Sequence, residues 1–77
     1  MRYLEINNAA FPYAIRIGKS DHVFEHVYMH EIFSWADKSL GGQNVHWAFE
    51  LDRSNNELEF RFNDKKSAMA FKLKWCK

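Results

Sequence analysis

The sequence predicts an α+β domain in which two helices cover one face of a small antiparallel sheet of about four strands. Segments 45–51 and 57–62 alternate apolar and polar residues with a period of two, which is typical of strands with one buried face. Residues from about 21 to 39 instead place their apolar side chains on one helical arc. The chain has 77 residues with only three Gly and one Pro, so we expect a single domain, 1–77, with short loops.

The N-terminal residues predict a β-hairpin. The first strand is assigned to residues 2–6, RYLEI. Residues 13–17, YAIRI, alternate large apolar side chains with Ala14 and Arg16 and form the second strand. The segment between them, NNAAFP, contains Asn and Pro residues that favour turns.

A helix follows the hairpin. Ser20 is a candidate N-cap, and Asp21 in the first turn is favourable to the helix dipole. We expect the helix to run from about Asp21 to Ser39 and to stop at Gly41 and Gly42. The residues expected on its buried arc are Phe24, Tyr28, Met29, Ile32, Phe33, Trp35, Ala36 and Leu40.

The two alternating segments predict a second hairpin, since the connecting DRSNN is polar and suits a turn. Its expected buried positions are Val45, Trp47, Phe49 and Leu51 on one strand and Leu58, Phe60 and Phe62 on the other. The residues expected on the solvent-exposed face of this hairpin are His46, Ala48, Glu50, Glu57, Glu59 and Arg61.

The C-terminal residues fit two assignments. Asn63 or Asp64 as a cap, followed by the run SAMA, favours a helix from 64 to about 75. The segment FKLKW also alternates, so a short helix followed by an edge strand is the alternative. With the helix, the element order is β-β-α-β-β-α. This order predicts a ferredoxin-like or split β-α-β arrangement whose first strand is doubled into a hairpin.

Composition excludes several classes of protein. Cys76 is the only cysteine, so neither an internal disulfide nor a cysteine-based zinc site is expected. No signal-peptide pattern and no apolar run of about 18 residues is present, which predicts a cytoplasmic protein without a membrane span. No nucleophile elbow, Walker or dinucleotide pattern occurs, so we expect neither catalysis nor a cofactor.

Three histidines at four-residue spacing form a ladder on the predicted helix: His22, His26 and His30. His26 and His30 form an i, i+4 pair that can chelate zinc or copper. His46, Glu50 or a second subunit would have to complete the metal site. The alternative is an exposed histidine stripe whose charge responds to pH, as imidazoles do.

The basic residues are concentrated in the C-terminal third. Residues 1–52 carry four Lys or Arg against seven Asp or Glu, whereas residues 53–77 carry seven against three. This asymmetry indicates either an acidic partner, including nucleic acid, or neutralisation within the fold when the two parts pack. The glycine-containing motif of RNA-recognition sheets is absent. Candidate nucleic-acid contacts are Arg61, Lys65, Lys66, Lys72 and Lys74, and their binding would weaken with salt.

Aromatic residues make up 17% of the chain, more than a thin core easily hides. Trp and Tyr are common anchors at protein interfaces, so the excess predicts a protein–protein interaction module, with a homodimer as one way to enlarge the core. The alternative is that every aromatic side chain belongs to the core. The candidate interaction residues are Tyr28, Trp35, Trp47 and Trp75.

The last part of the chain, FRFNDKKSAMAFKLKW, resembles a pattern of small uncharacterised proteins of tailed bacteriophages. In that pattern a strand F-x-F leads through an acidic residue into A-x-x-F-x-L-x-W. The resemblance implies a phage protein that acts in the host cytoplasm, and it supplies no catalytic residue. In that setting we expect the interaction module to modulate or inhibit a host protein. The match is carried by Phe60, Phe62, Asp64, Ala68 or Ala70, Phe71, Leu73 and Trp75.

Overall fold

The structure, a computed structural model, describes residues 2–18 and 26–75, with the side chains of the first helix described from His30 onward. The element order β-β-α-β-β-α is confirmed. The predicted helix start at Ser20 and Asp21 lies outside the described residues. The elements are β1 (Arg2–Glu5), β2 (Tyr13–Gly18), α1 (His26–Ser39), β3 (Trp47–Asp52), β4 (Glu57–Phe62) and α2 (Lys65–Trp75).

The four strands form one antiparallel sheet in the order β1-β2-β4-β3. Because β4 lies between β2 and β3 and is antiparallel to both, β2 and β3 run parallel. The connection from β2 through α1 to β3 is therefore a split β-α-β unit, as predicted. The β-α-β-β-α-β order of the ferredoxin-like arrangement ends in a strand, whereas here β1 precedes the unit and lies at the sheet edge beside β2.

The core lies between the sheet and the two helices. Phe60 in the central strand β4 pairs with Ile15 on β2 and with Phe49 on β3, so these three side chains share the helix-facing side of the sheet. The ring of Phe71 on α2 lies 4.8 Å from that of Phe60, and the ring of Phe33 on α1 lies 6.0 Å from it. Both helices therefore pack on one face of the sheet, around a fully buried aromatic side chain.

Strand β3 begins two residues later than predicted. The amides of Val45 and His46 donate to the carbonyl oxygen of Gly42 at 3.2 and 3.0 Å, which makes this segment a turn. Asn44 has a φ of 67°, a left-handed conformation that Asn tolerates better than most residues. Val45, expected in the core, is therefore 65% exposed.

Helix α2 continues to Trp75, so the helical assignment of the C-terminal residues is confirmed and the edge-strand alternative is wrong. The carboxylate of Asp64 accepts a hydrogen bond from the amide of Ser67 at 2.7 Å, which is the N-cap geometry. In a strand, Phe71 and Leu73 would share a face. In the helix, Phe71 is fully buried whereas Leu73 is 81% exposed.

Candidate functional site

A groove between α1 and the end of α2, here called the helix groove, is a concave surface of the described part of the chain. It has a volume of about 530 Å³ and is open to solvent. Two of the predicted interaction residues, Trp35 and Trp75, line it together. The other residues that line the helix groove are His30, Glu31, Ser34, Lys38 and Lys74.

The two tryptophans form the aromatic part of the helix groove. The ring of Trp35 lies 6.2 Å from that of Trp75 in an edge-to-face arrangement and 6.1 Å from that of the buried Phe71. These contacts hold both indoles against the core while leaving each half-buried. The indole N–H of Trp75 is buried and has no hydrogen-bond partner among the described residues. The groove therefore offers a fixed aromatic surface.

The rim of the helix groove is charged. Lys38 on α1 and Lys74 on α2 are both exposed, and the ammonium group of Lys74 lies 5.4 Å from the ring centroid of Trp75. His30 and Glu31 are exposed on the α1 side. None of these four side chains has an ion-pair partner among residues 2–18 and 30–75. The charges of Glu31, Lys38 and Lys74 are therefore not compensated by a described residue.

The opposite side of the sheet, here called the outer face, carries an ion-pair network centred on Arg16. Its guanidinium donates to Asp52 at 3.2 Å, to Glu57 at 2.9 Å and to Glu59 at 3.0 Å. Partial burial lowers the pKa of Arg16, but the hydrogen bonds to Glu59 and Glu57 outweigh this and raise it above its ordinary value.

Glu59 is the buried carboxylate of the network, with an exposed fraction of 4%. Its second oxygen accepts a hydrogen bond from Arg61 at 3.1 Å, and Arg61 also pairs with Glu50. The hydrogen bond to Glu59 raises the pKa of Arg61. Because Arg2, Arg16 and Arg61 all pair with carboxylates, most of the positive charge of the outer face is compensated locally. Arg53, in the turn at the edge of this face, forms no ion pair with a described residue.

The predicted set of nucleic-acid contacts is divided between two sides of the molecule. Arg61 lies on the outer face and is paired, whereas the four lysines lie on α2. Lys65, Lys66, Lys72 and Lys74 are exposed and form no ion pair with a described residue. No described residue of the outer face is aromatic, so this face lacks the stacking surface of RNA-recognition sheets.

The predicted interaction residues are also divided. Trp47 is fully buried, and its indole N–H donates to the carbonyl oxygen of Gly41 at 2.9 Å. It therefore belongs to the core and leaves the set of candidate anchors, because it has no surface to offer a partner. Trp35 and Trp75 remain in the set. The side chain of Tyr28 lies outside the described residues.

The histidine ladder lies mostly outside the described part of the chain. This applies to His22 and to the side chain of His26, whereas His30 is exposed on the rim of the helix groove. Among the side chains that the structure describes, no three His, Cys, Asp or Glu residues lie close enough together to hold a metal ion. No helix in the described ranges is long and apolar enough to cross a membrane.

Two features of these surfaces were missed in the sequence. The sequence places Glu59 on the solvent-exposed face and does not predict its burial and its ion pairs, because these depend on β4 lying between β2 and β3. Ser34 and Lys38 were not assigned to a site. Their positions four and eight residues after His30 could have placed all three on one side of the helix, although not beside α2.

Comparison of the chain with models of protein families, with curated proteins and with solved structures found no match.

Proposed function

We propose that this chain is a protein–protein interaction module that docks through the helix groove. The observation that carries the proposal is the pair of half-buried tryptophans, Trp35 and Trp75, held edge to face in an open groove. Tryptophan is enriched among the few residues that dominate binding energy at interfaces. The core contacts of both rings limit the side-chain entropy that would be lost on binding.

The sequence indicates where such a partner would be found. The resemblance to small phage proteins suggests a cytoplasmic partner in a bacterial host, whose activity this chain would modulate or inhibit. Self-association is part of the same proposal, because a second copy would enlarge a thin core. Light scattering tests it: a dimer gives twice the molar mass of the chain, whereas the mass of one chain at all concentrations excludes it.

The docking proposal is tested by filling the helix groove without removing a core contact. Ser34 is exposed and lines the groove, so Ser34→Phe places a ring in the space that a partner would use. Ser54→Phe, at an exposed position in the β3–β4 turn, is the matched control. We expect the wild type and Ser54→Phe to retain the same proteins from a host lysate and Ser34→Phe to lose them. Equal retention by both variants would contradict docking at this groove.

A second candidate function, nucleic-acid binding, is favoured by the charge of α2. The helix carries four lysines and no acidic residue, and these lysines form no ion pair with the residues that the structure describes. Unpaired lysines on one helix can attract phosphates, with an affinity that falls steeply as salt rises. A gel shift at low salt tests this function, with Lys65→Glu/Lys66→Glu as the variant that should abolish it. The absence of a shift at micromolar protein would exclude it.

A further inference from the structure

We propose that the occupant of the helix groove is an acidic segment of a partner protein that inserts an apolar side chain against Trp35 and Trp75. The inference rests on the proposed docking function and names the chemistry of the partner. It follows from how charge is distributed between the two sides of the molecule and from which charged groups border the aromatic surface.

Among the described residues, positive charge is compensated to different extents on the two sides of the molecule. On the outer face, Arg2, Arg16 and Arg61 each lie within 4 Å of at least one carboxylate, so their charges are compensated locally, and Arg53 at the edge of this face is the one described arginine there without such a partner. The lysines of α2 and Lys38 of α1 have no such partner among the described residues. An anionic partner is therefore attracted to the helical side, and the basic helix steers its approach.

The helix groove combines this charge with apolar area. Lys38 and Lys74 come from different helices and border the same two indole rings. Glu31 is the one described carboxylate of the groove, and it precedes Lys38 by seven residues, about 10 Å along the helix axis. A segment whose carboxylates lie near Lys38 and Lys74 and whose apolar side chain contacts the indoles would match both features.

A nucleic acid would use these charges differently. Lys65 and Lys66 lie at the opposite end of α2 from Lys74, about 12 Å away along the axis, and neither lines the groove. A phosphate backbone would draw on lysines at both ends of α2, whereas an acidic segment in the groove needs Lys38 and Lys74 above all. Glu31 in the groove also disfavours a polyanion. Variants at the two ends of α2 therefore separate the two kinds of partner.

The experiment uses fluorescein-labelled peptide probes and fluorescence anisotropy with the full chain. The acidic probe is a peptide of about 12 residues with a central Leu-Leu pair flanked by glutamates. The basic probe replaces each Glu with Lys, and the apolar control probe replaces both Leu with Ala. We expect the acidic probe to bind, the basic probe not to bind, and the Ala probe to bind about tenfold more weakly, because it loses the apolar contact.

Charge-reversal variants locate the binding site of the acidic probe. Lys38→Glu/Lys74→Glu should weaken its binding by about tenfold or more, and Lys65→Glu/Lys66→Glu, with the same change in net charge, by less than about threefold. Thermal unfolding checks that both variants fold. If the first does not fold, Lys38→Gln/Lys74→Gln replaces it, with the same direction of effect.

The inference is overturned if the acidic probe does not bind, if the acidic and basic probes bind equally, or if the two charge-reversal variants lose equal affinity. It is also overturned if single-stranded DNA of about 20 nucleotides displaces the acidic probe and depends on Lys65 and Lys66. These results are distinct from failure of the docking proposal. If Ser34→Phe abolishes capture of a protein while the acidic probe does not bind, the groove docks a partner of different chemistry.

Discussion

Glu59 and its neighbours show how single residues determine the character of the outer face. Glu59 lies directly across from Arg16 on β2 and from Glu50 on β3. A glutamate opposite another glutamate would be repulsive on its own. Arg61, on the same strand, hydrogen-bonds to both carboxylates and Arg16 pairs with Glu59, so the repulsion is compensated. These pairs give the buried Glu59 side chain its hydrogen-bond partners.

The first prediction concerns the buried carboxylate. Glu59→Gln removes the charge between two arginines, and we expect it to lower the free energy of unfolding by about 1–3 kcal/mol, because both guanidiniums lose a charge-assisted hydrogen bond. Glu50→Gln is the control, since its side chain is 57% exposed, and should cost less than about 1 kcal/mol. Urea unfolding measures the free energy of unfolding of both variants. Equal losses would contradict the role of Glu59 as the buried carboxylate shared by two arginines.

The second prediction concerns pH. The side chain and the backbone amide of Asn55 donate to Asp52, and together with Arg16 they hold the pKa of this carboxyl below its ordinary value of 3.8. The folded state therefore favours the ionised form. The resulting stabilisation is present above about pH 4 and is lost as pH falls through the lower pKa of the folded state.

The wild type should therefore be more stable than Asp52→Asn at pH 5, and the difference should shrink as the pH is lowered toward about 2. The measurement is the urea midpoint at each pH. Asp37→Asn, an exposed position on α1, is the control for a general effect of removing an aspartate. A difference between wild type and Asp52→Asn that stays constant with pH would contradict this assignment.

At the scale of elements, α2 shows how capping and burial decide between two periodic patterns. The segment FKLKW satisfies the strand period, but Asp64 caps a helix start, and Ala68 and Phe71 then fall on the side that faces the sheet. The helix also places its four lysines in solvent. The cap at Asp64 and the burial of Ala68 and Phe71 act together only in the helix, which favours it over the strand.

The third prediction tests the cap. Asp64→Ala leaves the amide of Ser67 without its acceptor and should lower the free energy of unfolding by about 1 kcal/mol. Asp64→Asn retains an acceptor oxygen and should cost about half as much or less, because Asn is also a good N-cap. Urea unfolding distinguishes the two variants. Equal losses would indicate that the charge of Asp64, rather than its hydrogen bond, stabilises the helix.

At the scale of the whole molecule, Phe60 is a side chain of the sheet that contacts both helices. Its ring lies 4.8 Å from Phe71 of α2 and 5.2 Å from Phe49 of β3, and it also approaches Phe33 of α1 and Trp47 of β3. A chain of this size has a thin core, and its stability is of the order of 5–15 kcal/mol at most. We therefore expect this one central aromatic side chain to contribute a large share of the free energy of unfolding.

The fourth prediction follows from this position. Phe60→Ala should cost about 3–5 kcal/mol, because it removes a fully buried ring from contact with both helices and leaves a cavity. Leu73→Ala, at a position that is 81% exposed, should change stability by less than about 0.5 kcal/mol. Thermal unfolding followed by circular dichroism compares them. A small effect of Phe60→Ala would contradict its central role.

The sequence by itself determined the element order, the fold class and the inward faces of β2 and β4, because period and capping act over a few neighbouring residues. The predictions from the sequence are wrong where contacts between residues far apart in the chain decide whether a side chain is buried. Val45 is predicted to be buried in the core, but the turn that begins at Gly42 leaves its side chain exposed to solvent. Trp47 was a candidate anchor, but it is enclosed beneath α1 against Phe33 and Phe60.

Only the tertiary structure decided which charges are free. Arg61 and the lysines of α2 are neighbours in sequence, yet Arg61 pairs with Glu50 of the adjacent strand β3 and with Glu59 of its own strand, while the lysines find no described carboxylate. The helix groove likewise exists only because the end of α2 packs beside α1 and brings Trp75 to Trp35. Both outcomes depend on which elements become neighbours in space, and local periodicity carries no information about that.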